Sequence, residues 1–215
     1  MRMKGRVGAM LVFALGLGIV ACQRGPAPEV AQQFQGRALY ACCNLHYENG
    51  DLSDANYWTG KTLRAGTPVT IEKLGNDSVT FAAGDVHLKL THQYGTKEES
   101  FSQYLGKVLV ADDPRPRIAS YRPAVQRAIE NSKVERGMTR EQVLTSLGYP
   151  PTHRTPSIKD REWTYWYNRW VTYKVAFDDA GKVAEVVGHP APTAETPIEN
   201  AATPPPAKTK KHKKK

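Results

Sequence analysis

The chain has 215 residues and a formal net charge of +9. The excess of positive charge lies at its two ends: residues 1–21 carry three basic residues, residues 208–215 carry six lysines, and neither segment has an acidic residue. The rest of the chain is therefore neutral overall, so nucleic-acid binding by the folded part has no electrostatic support. The length allows one large domain or two small ones.

The N-terminus has the form of a secretory signal peptide. Three basic residues come first: Arg2, Lys4 and Arg6. An apolar run over residues 8–21 follows. This run is shorter than the roughly 20 apolar residues that span a bilayer, and it has the length of a signal-peptide core. We therefore predict that residues 1–21 are a signal peptide.

The end of this run predicts a lipid anchor. The sequence Ile19-Val20-Ala21-Cys22 has the lipobox pattern of bacterial lipoproteins, in which small side chains fit the peptidase before the thiol that is diacylated. The alternative is an ordinary signal peptide in which Cys22 is incidental. Gln23, where an Asp would favour inner-membrane retention, points to the periplasmic face of the outer membrane. We expect covalent lipid on Cys22 and no other cofactor, and two acyl chains make such anchoring stable.

A β-rich domain is predicted over residues 38–110, after a flexible tether over 22–37. Apolar residues alternate with polar ones around Leu39, and again in three strands separated by turns at Gly75-Asn76-Asp77 and Gly84-Asp85. Such alternation with tight turns is typical of an antiparallel meander. Residues 65–71 resemble the opening of a bacterial SH3-like strand. We therefore predict a small antiparallel, SH3-like β-barrel.

Cysteines and histidines in this domain suggest no catalytic or metal site. Neighbours in a strand point to opposite faces, so Cys42 and Cys43 are expected as one buried and one less buried thiol; a vicinal or intermolecular disulfide is the alternative. Together with His46 they lack a fourth metal ligand. His87 and His92 are predicted to be surface histidines. No nucleophile motif is present, and we predict a protein that is not an enzyme.

A second domain is predicted over residues 120–188, after a linker over 111–119. Helical spacing covers residues 121–131, and Thr139 with Gln142 forms a capping box that starts another helix. Gly148 ends that helix. Three strands with period-two alternation follow. Helices packed on one face of an antiparallel sheet give a two-layer α+β domain. Residues 189–215, rich in Pro, Ala and Lys, are predicted to be disordered.

Aromatic residues are dense in the first two of these strands. Trp163, Tyr165 and Tyr167 share one face, which we assign to the core. The opposite face carries Trp166, with Trp170 in the turn that follows. These two tryptophans are the candidate residues for contact with a partner or with lipid headgroups; core packing is the alternative.

The segment Gly137-Met-Thr-x-Glu-Gln-Val-Leu-x-x-Leu-Gly-x-Pro closely resembles the BamE (SmpA/OmlA) lipoproteins. The resemblance continues through Trp163-Thr-Tyr-Trp-Tyr to the turn after Phe177, and covers about residues 120–188. It implies an ααβββ fold, a lipid anchor, and a scaffold role beside the large membrane barrel of the β-barrel assembly machinery. The expected function is a non-enzymatic outer-membrane lipoprotein that scaffolds or modulates outer-membrane protein assembly.

Two other functions stay open. An envelope-binding lipoprotein would use the lysine tail on anionic phospholipid, lipopolysaccharide phosphate or peptidoglycan carboxylates, although the tail can also be a solvated end. An inhibitor-like module would block a periplasmic enzyme. The tail residues are Lys208, Lys210, Lys211, Lys213, Lys214 and Lys215.

Overall fold

The computed structural model describes residues 32–34, 36–188 and 193. The signal peptide, Cys22, most of the tether and the lysine tail lie outside these residues. The described part is a mixed α+β structure with two hydrophobic cores, which confirms the predicted class. The domain boundaries proposed above stay predictions; below, "N-terminal half" means residues 36–110 and "C-terminal half" means residues 120–188.

The N-terminal half is built on a curled half-barrel sheet of six strands. The spatial order is β3 (Asp51–Ser53), β7 (Val86–Thr91), β6 (Ser78–Ala83), β5 (Pro68–Leu74), β1 (Leu39–Ala41) and β8 (Leu109–Val110). A separate pair joins β2 (Leu45–Tyr47) to β4 (Lys61–Leu63). The predicted meander β5–β6–β7 is confirmed, with Phe81 opposite Leu88 in the core. The SH3-like barrel is not confirmed, and β3 and β7 are parallel.

A helix that the sequence reading did not assign covers one side of this sheet. Helix α1 (Phe101–Val108) begins at a capping box of Ser100 and Gln103 and runs directly into β8. One face of the helix is buried in the core, and the opposite face is polar. The sequence pattern predicts this segment to be part of the β-rich domain and indicates no helix there. The buried residues are Phe101, Tyr104, Leu105 and Val108.

The C-terminal half contains two helices followed by three strands. Helix α3 (Pro123–Glu130) and helix α4 (Arg140–Leu147) share a core with the sheet β11–β10–β9 (Val183–Val187, Val171–Phe177 and Glu162–Asn168). The capping box of Thr139 and Gln142 is confirmed. Gly148 ends α4 at φ +77°, a left-handed conformation that favours glycine. Between the halves, residues 111–119 contain the short helix α2 (Arg115–Ala119).

Two buried asparagines of the N-terminal half cap the C-terminal ends of α3 and α4. Asn44 Nδ2 lies 2.6 Å from the Ile129 carbonyl and 3.1 Å from the Ser146 carbonyl. Asn56 Nδ2 donates to the Leu147 carbonyl at 2.8 Å. The last carbonyls of a helix have no partner within the helix, so the N-terminal half supplies the missing donors.

The same two side chains also hold their own half together. Asn44 Oδ1 accepts from the Ala65 N–H at 3.0 Å, and Asn56 Oδ1 accepts from the His46 N–H at 2.6 Å. Next to them, Trp58 and Thr59 donate backbone hydrogen bonds to β9 at 3.2 and 3.1 Å. The two halves are therefore joined by buried hydrogen bonds and not only by the connecting segment.

The expectation of two free thiols is wrong, because Cys42 and Cys43 form a disulfide. Free thiols were expected because side chains alternate between the two faces of a strand. In the structure β1 ends at Ala41 and β2 begins at Leu45, so the two cysteines lie in a bend where that alternation does not apply.

The surface assignment holds for His87 and is wrong for His92. The His87 side chain is exposed and pairs with Glu72. His92 follows β7 and is 3% exposed, with Nδ1 2.9 Å from Asp54 Oδ2, Nε2 3.0 Å from the Glu99 carbonyl, and its ring stacked on Tyr104. The chain folds inward there because the Asp54 carboxylate accepts hydrogen bonds from the N–H groups of residues 93–95.

We predict that Asn44→Ala destabilises the whole protein. The change leaves the buried Ser146 carbonyl and the part-buried Ala65 N–H without this partner and removes one of the donors to the Ile129 carbonyl, which keeps the Ser132 N–H. Each group left unsatisfied costs roughly 1–3 kcal/mol. Urea unfolding should show a loss of about 3 kcal/mol. Asn131→Ala, which removes an exposed asparagine bonded to the Arg127 carbonyl, is the matched control. Equal effects of the two substitutions would contradict the assignment.

Candidate binding surface

The turn between β9 and β10 presents Trp170 to solvent. Asn168 Oδ1 accepts hydrogen bonds from the N–H groups of Trp170 and Val171, both at 2.9 Å, and this fixes the turn. The Trp170 residue is 82% exposed. Of the two tryptophans singled out in the sequence, this one has the exposure that a contact surface needs.

Trp166 is half-buried, between the two halves of the molecule. Its ring meets Tyr57 edge-on at 6.3 Å between centroids, and the Arg154 guanidinium carbon lies 5.5 Å from the ring centroid. The indole Nε1 is buried without a hydrogen-bond partner among the described residues. Trp166 is therefore partly covered by its neighbours, whereas Trp170 is open to solvent.

A cavity of about 500 Å³ lies beside the same turn. Among the described residues, one wall residue, Arg169, comes from the C-terminal half. The others come from the N-terminal half, from segments that are far apart in the sequence. No sequence pattern brings these segments together, so sequence reasoning missed the cavity. Its wall consists of His46, Tyr47, Glu48, Asn49, Asp51, Leu52, Ser53, Tyr57, Thr91, Gln93, Tyr94 and Arg169.

His46 is the most unusual residue of this wall. It is 4% exposed, and neither ring nitrogen has a hydrogen-bond partner within the described part of the chain. Burial lowers the pKa of His46 to about 4, with the neighbouring Asn56 amide opposing this shift. The imidazole is therefore neutral near pH 7 and offers one donor and one acceptor.

The rest of the wall combines neutral hydroxyl and amide groups with a small excess of acid. Tyr57 and Tyr94 are joined by a 3.0 Å hydrogen bond between their hydroxyls, and burial raises the pKa of the Tyr57 phenol well above its usual value. Glu48 and Arg169 approach to 3.7 Å, longer than an ordinary hydrogen bond. Asp51 adds a second carboxylate.

A smaller cavity of about 310 Å³ adjoins the Cys42–Cys43 disulfide. Lys107, Arg117 and Glu141 are among its wall residues. Arg117 and Glu141 form an exposed ion pair at 2.9 Å, so these two charges already satisfy each other.

No candidate metal centre is found in the described residues. No group of three or more His, Cys, Asp and Glu side chains there is arranged to hold a metal ion. Both ring nitrogens of His92 already face oxygen atoms of Asp54 and Glu99. Within the same residues, no helix is long and apolar enough to cross a membrane.

The family model of the outer membrane protein assembly factor BamE domain matches residues 129–186. These residues form a BamE-family domain. The matched segment runs from the last turn of α3 to β11, so it contains α4, Trp166, the turn with Trp170, and Arg169 of the cavity wall.

The N-terminal half lies outside this match, and its SH3-like resemblance is not confirmed. No curated protein and no solved structure matches the chain significantly. The BamE domain is therefore the part of the chain for which a family is shown.

We predict that protonation of His46 destabilises the fold in acid. The pKa is about 4 in the folded chain against 6.5 for the free side chain, so between these values the unfolded chain binds a proton that the folded chain does not. Stability is then lost as pH falls from 6.5 to 4, by about 3 kcal/mol from this group.

His46→Leu should remove this part of the pH dependence and leave stability at pH 7 nearly unchanged, because the ring makes no hydrogen bond there. Urea unfolding between pH 4 and 7 measures the difference, with the exposed His87→Leu as control. Parallel loss of stability in the wild type and in His46→Leu would show that His46 is not the group responsible.

Proposed function

We propose that this chain is a non-enzymatic outer-membrane lipoprotein that scaffolds or modulates outer-membrane protein assembly. The observation that carries the proposal is the BamE-family domain over residues 129–186, since that family is associated with outer-membrane protein assembly.

The proposed anchor is lipid on Cys22, supported by the Ile19-Val20-Ala21-Cys22 lipobox. The tether between lipid and folded part is then shorter than the predicted 22–37, because residues 32–34 are helical and Phe34, 2% exposed, packs in the N-terminal core. Gln23 supports location on the periplasmic face of the outer membrane.

The proposed contact with the assembly machinery is the β9–β10 turn. Trp and Arg are the residue types that most often dominate binding energy at protein interfaces, and Arg169 and Trp170 stand together in this turn. A tryptophan at 82% exposure has little packing of its own to lose on binding a partner. Trp166 is the second candidate contact, through the part of its indole that stays exposed.

The lysine tail is a proposed second attachment. Each lysine near an anionic surface contributes about 1 kcal/mol at moderate salt, so six lysines can hold the tail to phospholipid or lipopolysaccharide phosphates, or to peptidoglycan carboxylates. The neutral folded part would then lie between a lipid anchor and a charged tail.

We predict that crosslinking of the tagged lipoprotein in its native envelope recovers the membrane barrel of the assembly machinery. Trp170→Ala should lower this recovery at least fivefold without shifting the unfolding midpoint, because the side chain is exposed. Ile158→Ala, at 48% exposure in the same domain, is the matched control and should leave recovery unchanged.

Other recovered partners would contradict the assembly role. Co-sedimentation with the sacculus in place of the barrel would indicate a peptidoglycan-binding lipoprotein, and recovery of a soluble hydrolase would indicate an inhibitor-like module. Recovery of the barrel that Trp170→Ala does not change would reject the β9–β10 turn as the contact.

A further inference from the structure

We propose that the cavity beside the β9–β10 turn binds a neutral saccharide through its hydroxyl and amide groups. This is a function separate from the assembly role, and no part of it rests on the BamE family. The volume of about 500 Å³ lies within the roughly 300–1,000 Å³ of small-molecule sites.

The imidazole of His46, which has no hydrogen-bond partner among the described residues, supports a polar ligand. Buried polar groups are almost always hydrogen-bonded, yet both ring nitrogens of this residue lack a partner in the described part of the chain. His46 is one of the residues that line the cavity, and both of its ring nitrogens are buried, so a ligand would reach them only after a small movement of the wall. A neutral imidazole accepts one hydrogen bond and donates another, and a sugar hydroxyl or acetamido group can provide both kinds of partner.

The aromatic residues of the wall favour a saccharide. Tyr47, Tyr57 and Tyr94 line the cavity, and a tyrosine combines an apolar ring with a polar tip. A pyranose has the complementary surface, with C–H faces between hydroxyl edges. Leu52 is the one aliphatic residue in the wall among those described, so a purely apolar ligand would leave most of the polar groups without partners.

The charge of the wall also favours a neutral ligand. Two carboxylates, of Glu48 and Asp51, and one guanidinium, of Arg169, line the cavity, and this excess of negative charge disfavours phosphates and other anions. Carboxylates accept hydrogen bonds from hydroxyls without needing a charged ligand. The 3.7 Å separation of Glu48 and Arg169 leaves both head groups able to bond a ligand.

An extended peptide paired with β3 is the main alternative occupant, because β3 is an edge strand of the sheet. Its outer backbone groups are already bonded, however. The N–H and carbonyl of Asp51 pair with Glu48 at 2.9 and 3.0 Å, and the Ser53 carbonyl accepts from the Asn56 N–H at 3.0 Å. Strand addition at this edge is therefore blocked.

The test is calorimetric titration of the full mature chain in detergent. The probes are chitotetraose, which is a neutral oligomer of N-acetylglucosamine, a dephosphorylated and carboxyl-reduced lipopolysaccharide core oligosaccharide, and inorganic phosphate. We expect saturable binding of at least one glycan and none of phosphate. Chitotetraose binding alone would point to cell-wall glycan, and core binding alone to lipopolysaccharide.

Two wall variants test whether the cavity is the site. His46→Leu and Asp51→Asn should each weaken glycan binding at least tenfold, and Glu72→Gln, an acidic residue of β5 outside the wall, is the control. Unfolding midpoints at pH 7 verify that the variants are folded. Absence of saturable binding of either glycan, binding that both wall variants leave unchanged, or preference for phosphate would overturn the proposal.

Discussion

The capping of α3 and α4 by Asn44 and Asn56 is the interaction on which the rest of the structure depends. An α-helix leaves its last carbonyls without internal partners, and a buried helix end must find donors elsewhere. In this chain the donors are two side-chain amides of the N-terminal half. Gly148 permits the approach, because a Cβ at that position would lie 2.5 Å from Asn56 Nδ2. Helices α3 and α4 therefore end against residues that lie outside the segment matched by the BamE family model.

This junction determines where the candidate sites lie. Residues 58–59 pair with the outer edge of β9, which protects an edge strand that would otherwise be open. The same contact places Tyr57 against Trp166 and brings Arg169 to the cavity wall. The exposed Trp170 and the polar cavity are thus neighbours because the two halves are joined, and each half alone would hold only part of this surface.

The sequence predicts the local structure of the C-terminal half well, because its signals are local. The Thr139–Gln142 capping box, the stop at Gly148 and the alternation in β9 and β10 each depend on residues a few positions apart. In the N-terminal half the β5–β6–β7 meander is predicted for the same reason. Helix α1 was missed, although Ser100 and Gln103 form a capping box there, because it is only eight residues long and lies within a region predicted to be β-rich.

The features that the sequence did not predict depend on contacts between residues that are far apart in the chain. Asn44 and Asn56 resemble ordinary turn asparagines until helices 85–102 residues away supply their acceptors. His92 read as a surface residue because its partner Asp54 lies in a separate segment. Cys42 and Cys43 form their disulfide in a bend between β1 and β2, and the sequence pattern did not predict where these two strands end. The cavity combines segments around residues 50, 92 and 169, and no local pattern joins them.

The central claim is that the two halves fold as one unit, held by the buried amides at the ends of α3 and α4. Native-state hydrogen exchange along a urea series tests it most directly, with amides of β6 and β10 reporting on the two cores. The account predicts that both sets exchange through one global opening, with the same free energy and the same dependence on urea. Two openings with different free energies would show that the halves are independent domains and would contradict the account.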